Sequence, residues 1–236
     1  DLVTSVFVNP TQFAAHEDLG AYPRQQERDA DLLEKAGGHL MFAPTIDEMY
    51  APGAVTRVTV GDAETGGPSQ GLEGAFRPQM FGGVALVVAK LLNQAQADVA
   101  VFGEKDWQQL MVVRRMVRDL DIPTEIVGLP TVRDEHGLAL SSRNAYLDKA
   151  QLQVARQLNL ILREAAGNAR AGRAIPGLER EANEAILTAG FDTVDYVAIR
   201  HADDLAEFAG GVVEGEARIL TAARIGRTRL IDNMAI

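Results

Sequence analysis

The 236-residue sequence contains no cysteine. This absence excludes disulfides, thiolate zinc sites and cysteine nucleophiles, and it is compatible with a reducing compartment. Histidine offers no substitute, because the histidines are scattered without the close spacing of a metal site. We therefore predict no metal site built by the protein, and we expect surface or structural roles for all four: His16, His39, His136 and His201.

Positive charge and long apolar runs are also scarce. The 23 basic residues are outnumbered by 33 acidic ones, which gives a formal net charge of −10. Such a chain is a poor general binder of nucleic acid, since phosphate contacts supply most of that affinity, although a locally basic pocket could hold a small anion. No apolar run approaches the roughly 18 residues of a membrane span, and no signal peptide is recognisable. We expect a cytoplasmic protein.

Several common catalytic motifs are missing as well. The sequence has no Walker loop and no G-x-G-x-x-G, which weakens P-loop kinase and nicotinamide-dependent interpretations. Its first residues already form an apolar, strand-like run without an initiator methionine. Because domains rarely begin on a core strand, we expect that upstream sequence is absent here.

The first half of the chain alternates strand and helix patterns. A short apolar run at residues 3–8 predicts a buried strand, a charged helix follows at 25–36, and a second strand follows at 40–43. After a Gly- and Pro-rich excursion with a possible short strand at 56–60, the pattern repeats, with predicted elements at residues 84–97 (helix), 99–102 (strand), 106–120 (helix) and 125–127 (strand). This order predicts an α/β fold with a Rossmann-like, doubly wound parallel sheet.

The second half has a different character. After a polar loop at 131–147, the sequence predicts helices at 149–171 and 176–189, and then short strands at 196–200, 218–223 and 229–231. Helices followed by strands indicate a smaller α+β domain. We place the domains at residues 1–131 and 132–236.

Polar segments follow three predicted strands, where ligands bind in open α/β sheets. One of them, Gly103-Glu104-Lys105-Asp106, precedes a predicted helix. Lys105 could neutralise phosphate charge there, with help from the helix N-terminus. The alternative is a capping box in which Asp106 is the N-cap and Gln109 its partner, which leaves a lysine in the turn without explanation.

Two further segments carry polar groups suited to anions. Leu140-Ser141-Ser142-Arg143-Asn144 offers two hydroxyls, a guanidinium and an amide, the donors that phosphate oxygens accept. The alternative is a solvated turn that caps a helix. Gln12, after the first strand, could bind a carboxylate and a hydroxyl together, or it could be a loop glutamine satisfied locally.

Taken together, these segments resemble the pantothenate synthetase family. The run F-V-N-P-T-Q-F at residues 7–13 matches a family motif, as do F-G-E-K-D-W-Q-Q-L at 102–110 and G-L-A-L-S-S-R-N at 137–144. Shorter matches lie at residues 22–24, 72–74, 77–78, 81–84, 130–133 and 228–233. The resemblance covers essentially the whole chain and keeps the motifs in order, which makes it far more specific than any single motif.

The resemblance implies an ATP-dependent ligase that joins pantoate to β-alanine through a pantoyl-adenylate, releasing AMP and pyrophosphate. It also implies Mg²⁺, a homodimer, and a nucleotide-binding half similar to that of class I aminoacyl-tRNA synthetases. The residues implied in ATP binding are Gly103, Glu104, Lys105, Asp106, Val132, Leu140, Ser141, Ser142 and Arg143, of which Lys105, Ser141, Ser142 and Arg143 are the expected catalytic groups. Gln12 and Gln109 are implied in binding pantoate, and Gln12 also in binding β-alanine.

The sequence departs from the family pattern in three places. It begins after the segment in which the family carries an H-x-G-H-like motif that binds ATP. Met80 stands where the family often has histidine, and Leu140 where methionine is usual. Two alternatives therefore remain at the level of sequence: a truncated or non-catalytic nucleotide-binding fragment, and a nucleotidyltransferase that leaves its product adenylylated.

Overall fold

A computed structural model describes residues 1–13, 18–20, 22, 25–62 and 64–236. The first part of the chain contains, in order, β1 (Val3–Ser5), α1 (Gln26–Lys35), β2 (Leu40–Phe42), α2 (Ile46–Met49), α3 (Leu72–Phe76), α4 (Met80–Ala95), β3 (Val99–Gly103), α5 (Trp107–Asp119) and β4 (Glu125–Leu129). The second part contains α6 (Lys149–Ala155), α7 (Gln157–Arg170), α8 (Ile175–Thr188), β5 (Thr193–His201), β6 (Ala217–Ile225) and β7 (Thr228–Ala235). In the described residues, no helix is both long enough and apolar enough to span a bilayer.

The first part is an α/β arrangement with parallel strand pairs. β1 pairs with β2, and β3 pairs with β4, each in parallel and each across a helix-containing connection. These pairs confirm both predicted strand–helix–strand units. They form two separate two-stranded sheets among the described residues.

The core of this part lies between α4, α5 and the strands. The valines of α4 recur on one helical face and meet the buried face of α5, as the 3.6-residue period predicts. Val84, Val112, Val113 and Met116 are almost completely buried there. Each such side chain contributes roughly 1.5–3 kcal/mol through burial, so this packing fixes the position of the turn that precedes α5.

Two sequence predictions for this part need correction. The strand at residues 3–8 is shorter, and it is not buried: Val3 is 45% exposed, and Phe7 beyond the strand is the residue that packs on the core. No strand forms at 56–60, although Thr56, Val58 and Val60 alternate as in a strand. Val60 is buried, so this segment covers the core as irregular chain rather than pairing with a sheet.

The second part is an antiparallel sheet covered by helices. Its strand order is β5-β6-β7, with neighbours antiparallel. The predicted helix at 149–171 is divided at Arg156 into α6 and α7, although Arg156 itself keeps helical backbone angles. The strands predicted at 196–200, 218–223 and 229–231 are confirmed and are longer than expected.

An apolar cluster joins the two parts. Trp107, at the start of α5, is buried against residues of the antiparallel sheet, and its indole N–H donates to the carbonyl oxygen of Ala202 at 3.0 Å. The cluster comprises Trp107, Leu110, Met111, Ala202, Leu205 and Leu220. The end of β3 and the start of α5 are thereby held beside β6 and β7.

Candidate active site

A cleft of about 340 Å³ lies where the β3–α5 turn meets the loop after β4 and strand β7. Lys105, Asp106, Ser141 and Arg143 all line it, so two segments separated by more than thirty residues of sequence face one space. Further lining residues come from the rim of the antiparallel sheet, including Arg224, Arg227, Arg229 and Asp232. The volume falls in the range of small-molecule sites.

The cleft is basic, although the protein is acidic. Among its described lining residues, six are basic and three are acidic: Arg77, Lys105, Arg143, Arg224, Arg227 and Arg229 against Glu73, Asp106 and Asp232. No described residue pairs with the Lys105 ammonium, whereas Glu73 and Asp232 are both engaged by arginines. The arrangement therefore favours a ligand with several negative charges.

Lys105 lies in a short 3₁₀ helix, Glu104–Asp106, between β3 and α5. Asp106 precedes the first residue of α5, but its side chain makes no capping hydrogen bond. The alternative of a capping box with Gln109 is therefore wrong. Asp106 lines the cleft instead, and Gln109 lines a small cavity next to it together with Lys105, Met80 and Phe81.

The second segment is a 3₁₀ helix, Ser142–Tyr146, capped by Ser141. The Ser141 hydroxyl accepts a hydrogen bond from the Arg143 N–H at 3.3 Å, as the capping alternative predicted. The Ser142 hydroxyl donates to the Tyr22 hydroxyl at 3.1 Å, and the Arg143 guanidinium lies 5.8 Å from the centre of the Tyr22 ring. Capping does not remove Ser141 from the cleft, so one residue can shape the turn and face a ligand.

Other predicted contacts lie outside the described lining of the cleft. Val132 and Leu140 are 68% and 53% exposed, and the cleft is lined instead by Leu138 and Ala139. The Glu104 carboxylate accepts from Arg218 at 2.7 Å, which occupies it away from a ligand. Gly103 and Ser142 are likewise not among the described lining residues.

Gln12 lies beside the cleft and is joined to it by Arg77. It ends a 3₁₀ helix, Pro10–Gln12, that Asn9 caps, and Arg77 donates to its carbonyl oxygen at 3.2 Å. The Arg77 guanidinium also contacts the Met80 sulfur at 2.8 Å, where Met80 replaces the histidine often found in the resembling family. Of the other predicted motif at residues 22–24, Pro23 and Arg24 lie outside the described residues, as does His16.

Comparison with known proteins identifies the family of the chain. The family model described as pantoate-beta-alanine ligase matches residues 1–235. The chain belongs to the pantoate–β-alanine ligase family. The ordered motifs at 7–13, 102–110 and 137–144 had predicted this membership.

Curated relatives and solved structures of the ligase family agree. The chain is 55% identical to the pantothenate synthetase of Mesorhizobium japonicum over 99% of its own length and 80% of the relative's. It is 56% identical to that of Caulobacter vibrioides over 100% and 81% of the two chains. A pantothenate synthetase structure from Thermus thermophilus superposes with a TM-score of 0.91 at 46% identity, covering 98% of this chain and 82% of the other.

A second structure of the family contains ligands. It is the pantoate-β-alanine ligase from Francisella tularensis, in complex with beta-gamma ATP and β-alanine, with a TM-score of 0.79 and 31% identity over 99% of this chain and 79% of the other. Beta-gamma ATP and β-alanine are therefore ligands of a protein that shares this fold.

Several residues around the cleft were missed by sequence reasoning about chemistry. Gln108 is buried; its side-chain oxygen accepts from the Glu73 N–H at 2.9 Å, and its amide nitrogen donates to the carbonyl oxygen of Pro68 at 3.0 Å. It thereby fixes the loop that presents Glu73. Glu73 in turn is bound by Arg229, from β7. The family matches at residues 72–74 and 228–233 include Glu73 and Arg229, but the motifs alone do not show that these two residues pair.

Proposed function

We propose that this ligase adenylates pantoate in the cleft between the Lys105 turn and the Ser141–Arg143 turn, and that β-alanine then displaces AMP there. Family membership carries the overall reaction, the ATP-dependent ligation of pantoate and β-alanine. The observation that carries the location is that Lys105, Ser141 and Arg143 line one basic cleft.

The two chemical steps need cations, hydrogen-bond donors and positioning, which a cleft of this kind can supply. A carboxylate is a poor electrophile toward an amine, so the pantoate carboxylate first attacks the α-phosphorus of ATP and pyrophosphate leaves. Negative charge grows on phosphate oxygens in that step, and Lys105 and Arg143 would stabilise it, with donors from Ser141 and Ser142. The neutral amine of β-alanine then attacks the mixed anhydride. Because the anhydride is already reactive, positioning and exclusion of water matter more than a strong base.

The assignment of individual residues is also proposed. Residues 103–106, Val132 and 140–143 would contact ATP, and the backbone supplies the contact where the side chain is engaged elsewhere, as at Glu104. Gln109 would hold pantoate from beside Lys105, where it lines a cavity of about 20 Å³ that can admit only the edge of a ligand bound in the cleft. Gln12 would hold pantoate and approach β-alanine from the side of Arg77.

Mg²⁺ would accompany the triphosphate. This ion keeps several waters and binds through one or two carboxylates together with substrate phosphates. Asp106 fits that role, since its carboxylate caps no helix and lines the cleft. Elsewhere in the described ranges, no group of three histidine, aspartate or glutamate side chains is arranged to hold a metal. The ion would supply charge neutralisation of the phosphates.

Finer features of the architecture are proposed on the same basis. The two parallel pairs would belong to one Rossmann-like sheet with a further strand between them; the exposed apolar residues Val3, Leu40, Val99 and Val101 support it, because such side chains are usually covered. Domains at 1–131 and 132–236 follow the change from parallel to antiparallel strands. A homodimer and a cytoplasmic location complete the proposal.

Pyrophosphate and AMP release provide the test. Pyrophosphate release should require ATP and pantoate, and AMP release should require β-alanine in addition. Lys105→Ala should slow pyrophosphate release by about 10²-fold or more, as loss of a transition-state contact does. Lys149→Ala, at an exposed lysine that begins α6, is the matched control and should leave the rate unchanged.

Three outcomes would overturn parts of the proposal. Unchanged turnover in Lys105→Ala would remove Lys105 from the mechanism. AMP that stays attached to the product in the presence of β-alanine would indicate a nucleotidyltransferase. ATP binding in calorimetry without any AMP release would indicate a nucleotide-binding module.

A further inference from the structure

Asp232 and Asn233 are adjacent polar residues in β7, and each is only 3% exposed. Neighbouring side chains of a strand point to opposite faces of the sheet, so the two reach in different directions. Neither residue is assigned a role by the cleft chemistry above. Their contacts, however, lead to the two turns that form the cleft.

Asn233 binds the backbone of the Lys105 turn. Its amide nitrogen donates to the carbonyl oxygens of Glu104 at 2.9 Å and Lys105 at 2.8 Å. Its side-chain oxygen accepts from the Arg218 guanidinium. Both amide hydrogens are therefore used on the two peptide groups that flank Lys105.

Arg218 binds the same turn through the side chains of Glu104 and Trp107. It donates to the Glu104 carboxylate at 2.7 Å, and its guanidinium lies 3.3 Å from the centre of the Trp107 ring. The residues on either side of the Lys105–Asp106 pair are thereby fixed to β6, while the Lys105 side chain itself remains directed to the cleft. The cation–π contact between Arg218 and the buried Trp107 indole also stabilises this position of the turn.

Asp232 holds the other turn through Arg133. Its carboxylate accepts from both terminal nitrogens of Arg133, at 2.7 and 2.9 Å. Arg133 also donates to the Gly137 carbonyl oxygen at 3.0 Å, and the chain between them folds back so that Arg133 and Ala139 form a β-bridge. This small hairpin leads directly into Ser141 and Arg143.

We propose that the Asp232–Asn233 pair is a positioning element that sets the separation between Lys105 and the Ser141–Arg143 turn, with Asn233 responsible for the placement of Lys105. The inference rests on the proposed function, since it requires both turns to act on one triphosphate. Catalytic contacts of this kind are sensitive to displacements of about 1 Å, because a misplaced group no longer meets the charge that develops.

The chemistry of the contact requires an amide at residue 233. Two carbonyl oxygens converge on it and need two donors. Asn233→Asp keeps the size and shape of the side chain but presents a carboxylate to both carbonyl oxygens, so the contact becomes repulsive. The aspartate would still pair with Arg218, which keeps a partner for that buried guanidinium.

A double-mutant cycle tests the inference. Asn233→Asp should lower kcat for pyrophosphate release by about 10-fold or more, with changes in the KM values for ATP and pantoate below about 3-fold. Lys105→Ala is expected to cost about 10²-fold in the wild type, but it should cost only a few-fold in the Asn233→Asp background, because Lys105 is already displaced there. Asn93→Asp is the control: Asn93 is exposed on α4, also donates to a carbonyl oxygen, and should leave kcat unchanged.

A second variant guards against misfolding. Arg218→Lys keeps the charge but loses the planar contact with Trp107 and the simultaneous bonds to Glu104 and Asn233, so it should reproduce the loss of kcat and the non-additivity. Far-UV circular dichroism and thermal denaturation check the fold of each variant, because the fluorescence of Trp107 would respond to the loss of the Arg218 contact itself.

The outcomes separate the two proposals. If Lys105→Ala leaves the wild-type rate unchanged, the proposed role of the cleft fails. If Lys105→Ala slows the reaction but costs the same factor in the Asn233→Asp and Arg218→Lys backgrounds, only the positioning role fails. Full turnover of Asn233→Asp or Arg218→Lys also overturns it.

Discussion

Glu73 and Arg229, separated by 156 residues in sequence, form a buried two-point ion pair with both N–O distances at 2.7 Å. Glu73 comes from the α/β part of the molecule, and Arg229 comes from β7 of the antiparallel sheet. Tyr196 donates its hydroxyl to the same carboxylate at 2.8 Å. The pair ties the two parts together at the wall of the cleft.

Removing one partner of this pair should destabilise the protein strongly. Glu73→Ala would leave the Arg229 guanidinium buried with Asp195 as its remaining carboxylate partner among the described residues, and a broken buried pair costs about 3–5 kcal/mol in the free energy of unfolding. Urea denaturation measures it. Glu181→Ala removes the exposed Arg173–Glu181 pair and should cost less than about 1 kcal/mol. Equal losses in the two variants would contradict the prediction.

The same pair should make stability depend on pH in acid. Burial acts to raise the pKa of Glu73, but the hydrogen bonds and charge of Arg229, with help from Tyr196 and Arg77, outweigh it and hold the pKa below the ordinary 4.5. A lowered pKa means stability that is present above about pH 4.5 and is lost as the pH falls through the folded-state value.

We therefore expect the difference in unfolding free energy between wild type and Glu73→Gln to shrink on acidification below about pH 4.5, by at most about 1.4 kcal/mol per pH unit. Taking the difference cancels the titration of other carboxylates. Denaturation series from neutral pH into the acid range provide the measurement. A difference that stays constant or grows toward low pH would contradict a pKa of Glu73 that folding lowers.

Gln109→Ala should raise the KM for pantoate much more than the KM for ATP. Gln109 lines the small cavity next to Lys105 and forms no capping box, so on the proposed assignment its loss removes a pantoate contact and no helix cap. Steady-state kinetics with each substrate varied in turn measure the two values. Gln94→Ala, at an exposed position on α4, should change neither, and a parallel rise in both KM values for Gln109→Ala would indicate a structural role.

Adjacent glycines of α4 offer a matched pair for the Gln12 turn. A methyl group on Gly83 would lie 2.5 Å from the Thr11 carbonyl oxygen and 2.8 Å from the Gln12 nitrogen. Gly83→Ala should therefore push the turn away, cost about 1–3 kcal/mol of stability, and raise the KM for pantoate. At Gly82 the nearest atom would be the Val58 carbonyl oxygen at 3.6 Å.

Gly82→Ala is thus the control with the same chemical change. It should be neutral or should stabilise the helix by about 0.5–1 kcal/mol, with kinetics unchanged. Thermal denaturation and pantoate kinetics on the two variants decide the matter. Similar behaviour of the two would contradict the tight approach of α4 to the turn.

Local periodicity was sufficient to predict most of the elements. The amphipathic pattern of α5 and the proline near the start of α8 led to bounds close to the observed ones. The same reasoning failed at residues 56–60, because alternation of β-branched residues does not say whether a partner strand is available. It also missed the division between α6 and α7 at Arg156, since apolar spacing continues across it.

The framework of the cleft could not be predicted in this way. Arg133 and Asp232 are 99 residues apart, and Arg218 and Glu104 are 114 residues apart. Such pairs have no periodic signal, and an isolated arginine in the sequence suits a solvated surface equally well. Only the folded chain identifies which carboxylate each one meets.

The contacts of Asn233 also have a consequence for synthesis. The ribosome adds about 90 further residues after Arg143 before it reaches the asparagine that secures the lysine turn. A nascent chain thus carries every proposed phosphate-contacting side chain long before the joint between them can form. Premature termination ahead of β7 would yield a polypeptide with the complete set of these groups and no assembled centre, so productive turnover awaits the arrival of the last strand.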